Sequence, residues 1–132
     1  MSEPYIGEIR MFAGHFAPTN WAFCDGQLMS IADNTALFSI LGTIYGGDGR
    51  ITFALPDLRG HSPAHAGQGP GLTPRNLAER TDFSTVTVLT SVQAERGLGL
   101  NPSAPFQAQS RSPYLAVNFI IALFGVFPSR AD

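Results

Sequence analysis

The chain has 132 residues, of which 14% are charged, and a formal net charge of −2. An ordinary soluble protein has about 25% charged residues, so this surface is predicted to be poor in charge. All eight basic residues are arginines, and they are spread along the chain. Binding to nucleic acid depends on clustered cations facing phosphates, so the sequence argues against a nucleic-acid partner.

The length predicts a single domain over residues 1–132. Fourteen Gly and ten Pro predict many loops, while ten Phe predict a folded chain rather than a disordered one. The acidic Glu3 and the absence of a basic leader predict no signal peptide. The longest apolar stretch, Leu115–Phe127, is shorter than the roughly 20 residues of a membrane helix, so no membrane span is predicted.

Two strands and a hairpin are predicted at the start of the chain. Ile6–Phe12 alternates in the manner of a strand with one buried face. A second apolar run, Trp21–Cys24, ends at the turn-forming Asp25-Gly26 and resumes at Gln27–Ile31. This arrangement is typical of a β-hairpin.

A helix is predicted near residues 34–42. Apolar residues are spaced there as one face of a helix, and Asn34 or Asp33 is available as the N-cap. A glycine-dense loop follows, and Ile51–Leu55 is predicted to be the next strand.

The second half of the chain has weaker patterning. Residues 61–113 are predicted to be rich in loops, with one strand at Ser84–Thr90. Leu115–Phe127 is apolar on both faces, which is typical of a strand covered on both sides or packed against another subunit.

No residue pattern predicts a metal site. His61 and His65 are four residues apart, but Pro63 lies between them and disfavours the helix that such spacing needs. The three acids next to turn residues, Asp25, Asp48 and Asp57, are predicted to cap turns.

No catalytic residue or cofactor is predicted either. The chain has no nucleophile-elbow motif, and no two carboxylates are expected to converge in a pocket. Cys24 lies in an apolar run and is predicted to be a buried small side chain, not a nucleophile.

Several ordered motifs point to one family: Gly7–Gly14, Trp21–Gln27, Asn34–Gly42, Tyr45–Arg50, Phe53–Gly60, Gly67–Gly71, Leu77–Arg80, Pro113–Asn118 and Phe127–Arg130. Together they resemble the phage tail collar domain family, whose bacterial relatives are often labelled microcystin-dependent proteins. The resemblance implies a small α+β module of tail fibres or tail-like particles. Together with the elements above, it predicts a loop-rich α+β domain with short strands, one main helix near residues 34–42 and a buried C-terminal strand. It implies a homotrimer or a fibre subunit without enzyme activity.

The chain departs from the family between about Asp82 and Ser112. Longer family members carry an insertion there that often contains a Leu-Pro-x-His-x-His segment, whereas this chain reads Thr90–Arg96 at the corresponding place. The shortened variable region lacks those candidate ligands, so the resemblance gives no reason to expect a bound metal.

Self-association is therefore the predicted activity, with itself or paralogous collar-domain subunits as partners and a virion, tail-like particle or extracellular fibre as its location. Closed symmetry would give a trimer and open symmetry a filament. The predicted interface residues are Leu115, Val117, Phe119, Ile121, Leu123, Phe124 and Phe127.

Two alternatives remain open. A receptor- or carbohydrate-binding module at a fibre tip would use Trp21, Tyr45 or Tyr114 as stacking surfaces. A polysaccharide hydrolase would need a pair of converging carboxylates, which the sequence does not indicate.

Overall fold

The computed structural model describes residues 3–81, 85–88, 106–109 and 113–130. The chain divides into two compact units, the first comprising residues 1–80 and 116–132, the second residues 81–115. The prediction of a single domain over residues 1–132 stays a prediction.

The described residues form short strands and one short helix. The first unit contains β1 (Ile9–Phe12), β2 (Trp21–Phe23), β3 (Leu28–Ser30), α1 (Thr35–Leu41), β4 (Thr52–Ala54) and β7 (Asn118–Ala122), and the second contains β5 (Thr85–Val88) and β6 (Phe106–Gln109). The fold class is broadly α+β and mainly β.

The main sheet of the first unit has the order β1-β7-β2, and both pairs are antiparallel. Ile121 of β7 lies opposite Ile9 on one side and Ala22 on the other. The central strand therefore comes from the far end of the sequence. Two segments near the start of the chain become neighbours only when this strand lies between them.

The predicted hairpin between β2 and β3 is wrong. β3 pairs with β4, with Leu28 opposite Ala54, while β2 pairs with β7. At Gly26 the backbone turns with φ +73° and its N–H donates to the Pro56 carbonyl. The turn residues therefore carry the chain from one sheet to another.

The first strand is shorter than predicted and lacks the predicted buried face. It begins at Ile9, while the buried Ile6 lies in the turn before it. Ile9, Arg10 and Met11 are all exposed. β1 lies at the edge of its sheet, so a described strand pairs with it along one edge only.

Helix α1 confirms the sequence prediction. Asn34 is its N-cap residue and Gly42, with φ +59°, is its C-cap residue. The Asn34 side chain donates to the Ser30 carbonyl and makes no hydrogen bond to the helix. Leu37 is fully buried, so the helix is stabilised mainly by packing rather than by its cap.

One hydrophobic cluster joins the sheets and the helix of the first unit. Its buried members are Ile6, Cys24, Leu37, Phe53, Leu55 and Ile121. The Phe38 and Phe53 rings add a tilted contact with centroids 5.5 Å apart. The other strands of this unit contribute residues to the cluster or pack against it, and β1 pairs with β7, which contributes Ile121. The cluster therefore stabilises the sheets together.

The predicted Ile51–Leu55 strand is present as β4, and the glycine-dense loop before it packs closely on it. A Cβ on Gly47 would lie 2.4 Å from the Phe53 Cα, and the Gly47 φ is +93°. Only glycine fits both the backbone conformation and the space.

In the second unit, β5 confirms the predicted strand and pairs antiparallel with β6, which was not predicted. The segment 90–96, where the resemblance located the family difference, lies outside the described residues.

Candidate assembly surface

Two chain segments meet at one end of the first unit and expose large apolar side chains there. The Ile6 N–H donates to the Val126 carbonyl at 2.9 Å, and the Val126 N–H donates to the Pro4 carbonyl at 2.9 Å. We call the four exposed side chains of these segments the terminal patch: Tyr5 (57% exposed), Phe124 (51%), Val126 (44%) and Phe127 (54%). A contiguous exposed apolar surface is typical of an interaction site, and these four side chains are the candidates for one here.

Gly125 explains how the two segments approach so closely. Its φ is +155°, and a Cβ at this position would lie 2.2 Å from the Pro4 carbonyl oxygen. A larger residue would push the segments apart and break both hydrogen bonds. The glycine therefore fixes the positions of its neighbours Phe124 and Val126.

The seven predicted interface residues fall into three groups. Ile121 is fully buried in the core, and Phe119 and Leu123 are half-buried against it. Val117, Phe124 and Phe127 are exposed on the first unit, and Leu115 is exposed on the second. Within this chain the structure leaves only the exposed residues of the set with substantial surface for another subunit.

The sequence pattern of β7 has an explanation within the chain. Ile120, Ile121 and Ala122 are buried, although successive residues point to opposite faces of a sheet. Ile121 faces the core. Ile120 and Ala122 share the other face with their cross-strand partners Arg10 and Trp21.

Arg10 and Trp21 meet over this second face. The Arg10 guanidinium carbon lies 5.2 Å from the centre of the Trp21 ring, and the Glu8 carboxylate accepts a hydrogen bond from Arg10 Nε. The Arg10 partner helps to lower the pKa of the Glu8 carboxyl, chiefly through that hydrogen bond. With Phe23, the second cross-strand partner of Ile120, this cation–π pair lies on the same face as the buried Ile120 and Ala122.

The three predicted stacking residues lie in different places. Trp21 is half-buried with Arg10 over its ring. Tyr45 follows α1, and burial raises the pKa of its hydroxyl, with a smaller contribution from Cys24. Tyr114 is 70% exposed and belongs to the second unit. Among the described residues, no ring contact joins Trp21 and Tyr45.

The predicted turn cap at Asp48 is confirmed. Its Oδ1 accepts hydrogen bonds from the backbone N–H groups of Arg50, Ile51 and Thr52 at 2.8 to 3.0 Å. These bonds lower the pKa of the Asp48 carboxyl to about 2. The carboxylate therefore stabilises the loop that leads into β4.

Asp57 is held by two arginines. Arg59 donates to both of its carboxylate oxygens at 2.9 and 3.0 Å, and Arg80 donates to one at 3.2 Å. The Arg59 contact is the main reason why the pKa of the Asp57 carboxyl is held well below its usual range. His61 accepts from Arg80 Nε at 3.1 Å. The group ties the end of the β4 loop to Arg80.

Cys24 has the environment of a structural thiol. It is 3% exposed, and burial is the main cause that raises its pKa to about 12, with Asp25 adding to it. Among the described residues, no group of three His, Cys, Asp or Glu side chains is placed to hold a metal ion. No helix in the described ranges is long and apolar enough to cross a membrane.

Comparison with known proteins finds a family match for part of the chain. Residues 7–63 match the family model described as Phage Tail Collar Domain. This segment is similar to a phage tail collar domain. The family resemblance that the motifs indicated is thus confirmed for this segment, although the match does not carry the label of microcystin-dependent protein.

The collar segment includes β1 to β4 and α1, while the central strand β7 lies outside it. The chain is also 35% identical over 79 residues to the short tail fiber protein gp12 of Enterobacteria phage T4. That alignment covers 59% of this chain and 15% of the relative. The chain therefore matches only a small part of that longer protein.

Sequence reasoning missed Tyr5 and Val126 as surface residues. Tyr5 precedes the first predicted strand, and Val126 was included in the apolar C-terminal stretch without being singled out. The available signal was Gly125, because a glycine between Phe124 and Val126 ends the strand pattern and indicates a close approach of another backbone.

Proposed function

We propose that the chain is a structural subunit of a phage tail fibre or a similar tail-like extracellular fibre, and that it works by assembling with copies of itself or with paralogous collar-domain subunits. Residues 1–132 act as one subunit in this proposal. It includes no catalytic residue, cofactor or metal. The observation that carries it is the terminal patch on a chain with a segment similar to a phage tail collar domain.

The exposed aromatic residues give the proposal an energetic basis. Fully burying a large apolar side chain stabilises by about 1.5–3 kcal/mol, so each half-exposed member of the patch retains about 1 kcal/mol. Two facing patches would contribute roughly 8 kcal/mol, which is comparable to the about 4–15 kcal/mol that association costs. The patch therefore offsets a large part of the cost of association, and other contacts between the subunits add the rest.

The kind of assembly depends on symmetry. A patch that meets its equivalent around a closed axis gives a trimer, and a contact that does not close gives a filament. The similarity to the T4 short tail fiber protein supports a place on a virion or tail-like particle.

The test uses substitutions on the surface. Deleting Leu115–Phe127 would remove β7 from the centre of the sheet, so a loss of assembly in that variant would report unfolding. The double variant Phe124→Ser with Phe127→Ser removes the two phenylalanines of the patch and keeps β7. The matched control is Leu28→Ser with Ile51→Ser, because these side chains are 62% and 70% exposed and lie outside the patch.

We expect light scattering to give an assembled mass for the control and a monomer mass for the patch variant, with the same far-UV circular dichroism for both. A patch variant that keeps the full assembled mass would overturn the proposed role of Phe124 and Phe127.

A further inference from the structure

Strand β1 has an open edge. It pairs with β7 on one side, and no other described strand pairs with it. The Glu8 carbonyl accepts from the Ala122 N–H, so this carbonyl and the backbone groups of Arg10 and Phe12 face β7. The backbone groups of the intervening Ile9 and Met11 therefore point away from the sheet.

No described residue hydrogen-bonds to those outward groups. The side chains beside them are apolar and exposed, Ile9 by 41% and Met11 by 71%. An edge strand of this kind, without a Pro or Lys to block it, is a template for another strand.

The charges next to the edge are complementary to themselves. Glu8 and Arg10 are two residues apart, so both lie on the same face of the sheet, with Ile9 pointing to the other. Their side chains are 29% and 50% exposed. When two such strands meet antiparallel about Ile9, each glutamate comes opposite an arginine.

We infer that β1 pairs with β1 of a second copy of the chain. The two strands run antiparallel with Ile9 opposite Ile9, and Glu8 of each strand lies opposite Arg10 of the other. The inference rests on the filament form of the proposed function, since a two-fold contact between two copies has no place within a closed trimer. The result is a continuous six-stranded sheet with the order β2-β7-β1-β1-β7-β2.

Charge decides between the neighbouring registers. If Ile9 lay opposite Met11, the backbone groups of both residues would be hydrogen-bonded across the contact. Arg10 would then lie opposite Arg10 in the non-hydrogen-bonded pair, where side chains are closest. If Met11 lay opposite Met11, each Arg10 would face Phe12. Only the Ile9-centred register brings opposite charges together, and it does so twice.

This contact is short, so it acts together with the terminal patch. An isolated pair of short strands is marginal in water. In a fibre the patch already brings copies together. The hydrogen bonds of the edge then form without a further loss of translational and rotational freedom. It also fixes the orientation of two copies by a two-fold axis, which an apolar patch alone does not do.

Cysteine cross-linking reads the register directly. In the full chain, Ile9→Cys brings two sulfurs together at the two-fold axis, whereas Met11→Cys places them about four residues apart along the strands, too far for a disulfide. The native Cys24 does not interfere, because it is buried and its pKa is raised to about 12. We expect mild oxidation to cross-link Ile9→Cys and to leave Met11→Cys unlinked.

A charge exchange gives a second readout. Adding Glu8→Arg or Arg10→Glu to the Ile9→Cys chain creates like-charge pairs, and we expect cross-linking to slow by about fivefold in each variant alone. Mixing the two variants restores both opposite-charge pairs, so cross-linking between them should recover. Circular dichroism of each variant confirms that the fold is retained.

The outcomes separate this inference from the proposed function. Cross-linking of Met11→Cys, or equal rates for single and mixed charge variants, overturns the register. An assembled mass by light scattering without cross-linking of Ile9→Cys overturns the edge contact and leaves the proposed function standing. A monomer mass with no cross-link overturns both.

Discussion

The guanidinium carbon of Arg10 lies 5.2 Å from the centre of the Trp21 ring. The two residues belong to opposite edge strands of a three-stranded sheet, and they meet on the face that carries Ile120 and Ala122 of the strand between them. Ile120 and Ala122 are buried within a single chain. An apolar central strand therefore needs no partner subunit to be buried.

Removing the Trp21 ring should destabilise the fold. The side chain is half-buried, so Trp21→Ala should lower the free energy of unfolding by about 2 kcal/mol, less than the cost at a fully buried site. In a double-mutant cycle with Arg10→Ala, urea denaturation should show a coupling of about 0.5–1 kcal/mol. Strictly additive effects would mean that the cation–π contact does not stabilise the fold.

The charge of Asp48 should make part of the stability depend on pH. Its pKa is lowered from 3.8 to about 2 in the folded chain, so the stabilisation is present above pH 3.8 and is lost as the pH falls towards 2. Asp48→Asn keeps an acceptor oxygen but loses the charge. Thermal unfolding should show a variant that is less stable at neutral pH, with a difference that shrinks on acidification. A difference that stays constant from neutral pH to pH 2 would contradict this account.

Two glycines with similar backbone conformations should respond differently to alanine. Gly60 has φ +70° and open space around it, so Gly60→Ala should cost about 1–2 kcal/mol of unfolding free energy through backbone conformation alone. Gly47→Ala should cost more, because its Cβ would lie 2.4 Å from the Phe53 Cα. Urea denaturation of both variants measures the difference. Equal losses would show that the loop moves away from β4 without cost.

The Cys24 thiol should be unreactive in the folded chain. Burial raises its pKa to about 12, so little thiolate exists near neutral pH and the reagent cannot reach it. A chromogenic disulfide reagent should modify it only after denaturant is added. Rapid modification of the native chain would show that this part of the core opens readily.

Local signals allowed the sequence to predict some elements correctly. Helix α1 is specified by its apolar spacing and by Asn34 and Gly42 at its ends, all within one short segment. The motifs that indicated the tail collar family fall mostly inside residues 7–63, which the family match confirms.

The sheet pairing was not predictable in the same way. β2 and β3 flank a good turn, yet β2 pairs with β7 about a hundred residues away. The preference of a strand depends on which surface it buries, and a turn dipeptide carries no information about distant partners. The edge position of β1 was missed because it also depends on a distant partner. Its strand was expected to have one buried face, whereas Ile9 and Met11 are exposed.

The apolar pattern of β7 was also ambiguous. A strand that is apolar on both faces has the same sequence whether its second cover is another subunit or a pair of side chains in the same chain. Here Ile120 and Ala122 are buried within one chain, and their cross-strand partners Arg10, Trp21 and Phe23 carry no sequence signal for it. The sequence alone therefore could not distinguish exposed residues of the predicted interface, such as Phe124, from core residues such as Ile121.

The mass of the full chain in solution tests the central claim most directly. Light scattering on a sizing column should give a discrete multiple of 14.1 kDa, or filaments visible by negative-stain microscopy, and the mass should fall on dilution. A single species of 14.1 kDa at every concentration would contradict the account, because the terminal patch would then be exposed without a second copy to cover it.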